Sequence, residues 1–418
     1  MNKDLKIALV SDAHSYWMEE NDGLITNWTV RFSWEVTKVA EDYCSEIMLL
    51  TTSSSYNAFN SESIHVLENE RFLYNNLPQS SQTHWWLAEN DIINYLDEFQ
   101  PDIVSIPTIW APNASIAQLW AKNNNIPLVA TIHSHPWLLV RHTLWEMWYD
   151  TETVEKISKK VKRKIQTISN DINTIIVRSS TSLDQLQEWW LNWNYKVLRW
   201  WIDKTVYRPC FNDFEKISLR EKYNLNLESK LILFVWRFCP AKESDSILLI
   251  LEKLREIDDS IELVVVGNNT HYESSLESLK LKWVNFVGEL WKNETSEVIR
   301  STDFWIAPSE EETFGQAIAE MMSSWLTCAV PKNWWHRDFA NETNSLLLDT
   351  FNVNEPEYWV SSIYETLLDS DKREWISLMA RKSIWDINDS YEDFIKIHRK
   401  TYEDSLLINN DTPISKAW

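Results

Sequence analysis

Residues 307–325 read Ala307-Pro308-Ser309-Glu310-Glu311-Glu312-Thr313-Phe314-Gly315-Gln316-Ala317-Ile318-Ala319-Glu320-Met321-Met322-Ser323-Ser324-Trp325. A Pro-Ser turn, three carboxylates and a glycine lead into an apolar periodicity, which predicts a helix with Phe314, Ile318 and Met321 or Met322 on one face. A loop that feeds a helix N-terminus presents unpaired amides and a partial positive charge, an arrangement suited to a diphosphate. Glu312 and Glu320 stand eight positions apart, roughly 12 Å along a helix at about 1.5 Å per residue. An extended nucleotide sugar carries hydroxyl-rich groups on both sides of its diphosphate, and a carboxylate at each end can accept hydrogen bonds from a diol pair.

As an E-x7-E pattern after a Pro-Ser turn, with Phe-Gly two residues past the first Glu, the stretch resembles the signature of the retaining GT-B glycosyltransferases of family 4. By itself the pattern also describes an amphipathic core helix preceded by solvated acids. The order of further matches along the chain favours the family. The resemblance implies an α/β protein with the GT-B fold, two Rossmann-like doubly wound domains facing a cleft. Residues 1–205 would form an acceptor-binding domain and 206–387 a nucleotide-sugar-binding domain, with helix 388–418 packing back on the first and the hinge near 200–212.

Upstream, Leu231-Ile232-Leu233-Phe234-Val235 predicts a strand, and Trp236-Arg237-Phe238-Cys239-Pro240-Ala241-Lys242 follows it. Arg237 can clamp phosphate oxygens with two parallel donors, and Lys242 adds a point charge. With glycine in place of Trp236 the segment matches the family's G-R-x4-K loop. The runs Ile261–Gly267 and Val284–Gly288 read as two more strands ending in glycine, similar to those whose loops approach the nucleobase.

In the first half, strands are predicted at 5–10, 46–50, 102–106 and 174–177, with helices between them. Asn27-Trp28-Thr29-Val30-Arg31, read with glycine at 28, resembles the loop after strand one, where a small backbone lets the donor phosphate approach. Ile126–Ile132 reads as a buried strand emptying into a loop at His133, with His135 as a competitor. The carboxyl edge of a parallel sheet is where ligands bind. The resemblance places His133 beside the reacting bond, Arg237 and Lys242 on the leaving diphosphate, Glu312 on the sugar and Glu320 on the ribose. Thr313, Phe314, Gly315, Asn27 and Trp28 complete the donor site.

The chain has 418 residues and a net charge of −22, which argues against general nucleic-acid binding. Its four cysteines are scattered and show no metal spacing. A co-substrate sugar nucleotide is expected, with no cofactor and no metal. No targeting segment and no apolar run of the roughly 20 residues needed to span a bilayer is visible, so the expectation is a cytoplasmic protein. Positions 155–164 nonetheless concentrate six basic residues in ten. That reads either as a solvated helix face or as a peripheral contact with the inner face of a membrane carrying a lipid acceptor.

One number is anomalous: the chain has 4 glycines and 26 tryptophans. Together they approach the share that glycine alone ordinarily holds, about 7%. Tryptophan also occupies positions where the backbone calls for glycine, including Trp236, the pair Trp334-Trp335 and the helix end at Trp325. The expectation is that most are UGA-encoded glycines written as tryptophan. The activity expected is hexose transfer from a nucleoside diphosphate sugar to a lipid or glycan, with retention, as in cell-envelope glycan or glycolipid synthesis. Two alternatives stay open: a GT-B-type nucleotide-sugar 2-epimerase and a catalytically silent GT-B binding module.

Overall fold

The apolar run at Ile7–Val10 becomes the centre of β1 (Lys6–Ser11) and is buried throughout. A parallel sheet covered on both faces requires such unbroken runs. The computed structural model describes residues 5–11, 36–51, 64–66, 70–72, 85–87, 89–107, 109, 112–132, 144, 149–187, 194–199, 201–235, 238, 243–267, 283–309, 315–332, 338–387 and 391–411. Met1–Arg199 with Tyr391–Trp418 form one unit, and Trp200–Ser390 form a second.

In the first unit β1 is followed by β2 (Glu46–Thr51), β3 (Ile64–Val66), β4 (Glu70–Phe72), β5 (Trp85–Leu87), α1 (Glu89–Phe99), β6 (Ile103–Ile106), α2 (Pro112–Asn124), β7 (Leu128–Ile132), α3 (Thr151–Ser169), β8 (Thr174–Val177), α4 (Ser180–Gln187) and β9 (Tyr195–Val197). Seven of these strands form a parallel sheet in the order β3-β2-β1-β6-β7-β8-β9, while β4 and β5 form a separate antiparallel pair. The order reverses between β1 and β6, whose register runs Ile7 to Ile103 and Leu9 to Ser105. Trp120 anchors α2 in the core, its indole N–H donating to Asp97 Oδ1 at 2.8 Å.

The second unit contains α5 (Asp213–Lys222), β10 (Lys230–Val235), α6 (Ser244–Ile257), β11 (Ile261–Val266), β12 (Val284–Gly288), α7 (Lys292–Ser301), β13 (Phe304–Ile306), α8 (Gln316–Ser323), β14 (Thr327–Pro331), β15 (Leu346–Leu348), α9 (Glu357–Leu368) and α10 (Ser370–Ile387). Its six-stranded sheet runs β12-β11-β10-β13-β14-β15, parallel throughout. Asp303 fixes the central pair at its amino edge. Its Oδ2 accepts from Leu231 N at the start of β10 and from Arg220, both at 2.8 Å, and its Oδ1 accepts from Lys216 at 2.6 Å. Burial pushes the Asp303 carboxyl up, but the Lys216 and Arg220 charges outweigh it and hold the group below the usual range.

The chain then returns to the first unit as α11 (Tyr391–Asp411). This helix packs its polar residues inward. Tyr43 OH lies 2.7 Å from His398 Nδ1, Tyr402 OH lies 2.9 Å from Ser105 Oγ, and Ser405 Oγ donates to Thr174 Oγ1 at 2.7 Å. Burial drives His398 down to about 3, helped by the Arg178 charge, and drives Tyr402 up to about 12.

Candidate donor-binding site

The second sheet reverses order between β10 and β13, which pair with Ile232 opposite Phe304 and Leu233 opposite Trp305. In a doubly wound sheet the crevice outside the carboxyl ends at such a reversal is where ligands bind. The segments leaving those two ends are 236–243 and 307–315, the two stretches singled out by sequence. Phe238 is fully buried within the first of them. Its ring meets Phe234 and Phe286 edge-on, each at 5.6 Å between centroids, and so fixes this one position in the core.

On the other strand Ala307 continues the ladder, its amide donating to Ala329 O at 3.1 Å, and Ser309 is buried. The chain re-enters description at Gly315, which adopts φ +70° and ψ 51° as the N-cap of α8. Glycine takes up this left-handed conformation without a Cβ penalty. Because Gly315 has no side chain, it leaves the first-turn amides of α8 without a side-chain cap. From Ala317 to Ser323 every residue of the helix is buried, so α8 is enclosed on all sides, where the periodicity predicted a single apolar face. Glu320 is only 6% exposed, and Gln316 Nε2 donates to its Oε1 at 3.1 Å.

The far end of α8 closes with Leu326 N donating to Met321 O at 3.0 Å and Trp325 N to Met322 O at 3.3 Å, the hydrogen-bond pair of a Schellman motif. Trp325 stands at the C′ position with φ +65°, where glycine is usual. Ser323 Oγ donates to Tyr207 O at 2.7 Å, and Arg381 donates to the carbonyls of Tyr207 and Ser323. The segment around Tyr207 is held further by Ser296 Oγ donating to Val206 O at 2.6 Å and by Lys292 pairing with Asp203 at 3.0 Å. Helix α8 is thus anchored to the passage that enters the second unit.

Two strands further along the same edge, Gly267 N donates to Gly288 O at 2.8 Å. A bulge between Val265 and Val266 shifts the β11–β12 register there. Both glycines have positive φ, at 132° and 87°.

Of the residues assigned to the site from sequence, Gly315 and Glu320 are described, one at the N-cap and one in the helix behind it. Asn27, Trp28, His133, Arg237, Lys242, Glu312, Thr313 and Phe314 lie outside the described residues, as do His135, Trp236 and the Trp334-Trp335 pair. Gln316 and Phe238 passed unremarked in the sequence. The i to i+4 spacing of Gln316 and Glu320 was the available signal for the first. The second had none, since Phe238 lies among polar and small loop residues.

Two Rossmann-like units of this topology, joined with a C-terminal helix that returns to the first, define the GT-B fold. Residues 215–382 match the family described as glycosyl transferases group 1. Among curated relatives, the chain is 27% identical to a sulfoquinovosyl transferase of Arabidopsis thaliana over 301 residues, covering 70% of this chain and 54% of that protein. It is 24% identical to a GDP-mannose-dependent alpha-mannosyltransferase of Corynebacterium glutamicum over 254 residues, covering 60% and 57%. The matches therefore span little more than half of each relative. Among solved structures, sucrose-phosphate synthase of Thermosynechococcus elongatus superposes with a TM-score of 0.71 at 14% identity, covering 96% of this chain and 98% of that one. The HepE protein of Anabaena in complex with UDP-glucose gives 0.69 at 14%, covering 96% and 99%.

Proposed function

We propose that the protein is a retaining glycosyltransferase that moves a hexose from a nucleoside diphosphate sugar to a lipid or glycan acceptor. The observation that carries this reading is the adjacency of the parallel strands β10 and β13, from whose carboxyl ends the sequence continues into 236–243 and 307–315, on the unit that matches the group 1 family. In this reading Arg237 and Lys242 stabilise the diphosphate as negative charge develops on it, in place of a metal. Glu312 holds the sugar, Glu320 the ribose, and the amides ahead of Gln316 face the phosphates. His133 and the Asn27-Trp28 loop follow β7 and β1 in the first unit and supply its side of the reaction. The basic α3 helix holds the enzyme at the inner face of a membrane.

The same reading takes most of the tryptophans outside the packed core as glycine in the native protein. The left-handed Trp325 supports this. Trp120, Trp305 and Trp359 behave as ordinary anchors, buried in α2, β13 and α9. Peptide mass spectrometry of the native protein decides each position, because glycine and tryptophan differ by an indole side chain.

The functional test is incubation with a panel of sugar nucleotides, with and without a lipid or glycan acceptor, followed by assignment of the product's anomeric configuration by NMR. Acceptor-dependent transfer with retention is expected. Formation of an epimeric sugar nucleotide without acceptor would make the protein a 2-epimerase. Arg237→Ala and Lys242→Ala should each reduce kcat/KM by an amount equivalent to about 2–4 kcal/mol. Near-normal turnover in both would displace the diphosphate from this loop.

A further inference from the structure

The chain enters the second unit after Arg199 and returns to the first at Tyr391. Between Asp203 and Cys210 it forms neither helix nor strand, so no regular ladder satisfies its carbonyls. Two consecutive ones are met in the same way, each by a serine hydroxyl and an arginine. Val206 O accepts from Ser296 Oγ at 2.6 Å and from Arg300 at 3.2 Å, both on α7. Tyr207 O accepts from Ser323 Oγ at 2.7 Å, on the last residue of α8, and from Arg381 of α10 at 3.3 Å. Arg381 also donates to Ser323 O, so passage, α8 and α10 meet at one point. Lys292 pairs with Asp203 at 3.0 Å and Cys210 Sγ donates to Arg300 O at 3.3 Å, which fastens the passage to α7 at both ends.

We propose that this passage is a relay, in which Ser323 and Arg381 carry the ordering of α8 by a bound donor to the stretch through which the chain joins the first unit. The proposal rests on the reading of α8 as part of the donor site, and it gives Ser323 and Arg381 a positioning role at the end of the helix away from the ligand. Helix α8 has eight residues and is about 12 Å long, so restraint at its first turn reaches its last. There it passes to Tyr207, because Ser323 gives its hydroxyl to Tyr207 O and its carbonyl to Arg381, which grips the same oxygen. Hydrogen bonds from a charged donor are among the strong ones. The amides of Val206 and Tyr207 in turn donate to Asp203 O at 3.2 and 2.8 Å, so whatever steadies Tyr207 steadies the turn just inside the unit. A ligand that quiets α8 thereby quiets the passage, a coupling through order that needs no displacement.

The test is hydrogen–deuterium exchange of the full-length protein, with and without a saturating concentration of UDP, GDP or ADP, whichever calorimetry shows to bind. In wild type the nucleotide should slow exchange at least about threefold in peptides from α8 and in 203–210, where the amides of Thr205, Val206 and Tyr207 are bonded to Asp203. Arg381→Met should keep the protection of α8 and lose that of 203–210. Ser323→Ala, which removes a single hydroxyl, should lose part of it and serves as the test should the methionine variant unfold. Arg381→Lys, which keeps a charged donor, should restore most of it. A residue with a merely structural role would change exchange equally with and without nucleotide. Failure of wild type to bind any of the three nucleotides, or binding without protection of α8, would overturn the reading of the donor site and the relay with it. Protection of α8 with none at 203–210, or protection at 203–210 that persists undiminished in the folded variants, would overturn the relay alone.

Discussion

At Trp325 the backbone and the side chain disagree. The Schellman closure of α8 requires a left-handed residue, and an L-residue with a Cβ pays about 1–2 kcal/mol for that conformation. The side chain is 40% exposed and recovers only part of this by packing. Trp325→Gly should therefore raise stability by about 1 kcal/mol, read from the urea midpoint; a lower midpoint would show that the indole outweighs the strain. His398 presents a different residue-scale problem. Its folded-state pKa of about 3 lies below the ordinary histidine value, so between these values the unfolded chain binds a proton that the folded chain refuses. The stabilisation is complete above about pH 6.5 and declines as pH falls, by up to about 1.4 kcal/mol per pH unit. Urea titrations across pH 4–7 should show this slope in wild type and a shallower one in His398→Gln. Equal slopes would mean that other groups carry the acid sensitivity.

Among the elements, legibility followed the length and purity of the apolar runs. Strands β1, β2, β6, β7, β8, β10 and β11 could be read from sequence because burial on both faces demands long hydrophobic runs, and the half-buried edge strand β12 was legible from its run ending in Gly288. Strands β3, β4, β5, β9, β13 and β15 were missed, each only three residues long, and so was β14, whose apolar run is interrupted by Thr327 and Pro331 at its ends. The loop–helix order at 307–323 was legible, but the complete burial of α8 was not, because the elements that enclose it come from distant parts of the chain. The same holds for the Tyr43–His398 contact, 355 positions apart. Helix α3 was legible as basic and amphipathic, and it buries Val154 and Ile165 while Lys156, Lys159, Lys160 and Arg163 remain exposed. Near an anionic surface each such charge contributes about 1 kcal/mol. Replacing Lys156, Lys159 and Lys160 with Glu should reduce co-sedimentation with phosphatidylserine-containing vesicles by about two orders of magnitude, with no change on neutral vesicles. If wild type ignores both kinds of vesicle, α3 is a solvated face and nothing more.

For the whole molecule, the second unit is contiguous in sequence while the first is not, since α11 reaches it only after Ser390. The polar pairs from α11 supply Tyr43 and Ser105 with their side-chain partners and add to the Asn194 contact of Thr174, so three buried positions in the first unit are completed only when that helix arrives. A chain ending at residue 390 should keep the cooperative unfolding of the second unit and lose that of the first, which domain-resolved hydrogen exchange can distinguish. Full protection of β6 and β8 in such a chain would contradict the role assigned to α11.

During synthesis the part of the protein that emerges first is therefore the part completed last. At about 5–20 residues per second, the ribosome needs roughly 10–40 s to pass from the end of β9 to α11. Over that interval the nascent first sheet waits with an uncovered seam, while the later-made unit already has every strand it needs. A pause or premature stop within α11 would release a chain whose unit at 200–390 is finished and whose older half invites chaperones or aggregation.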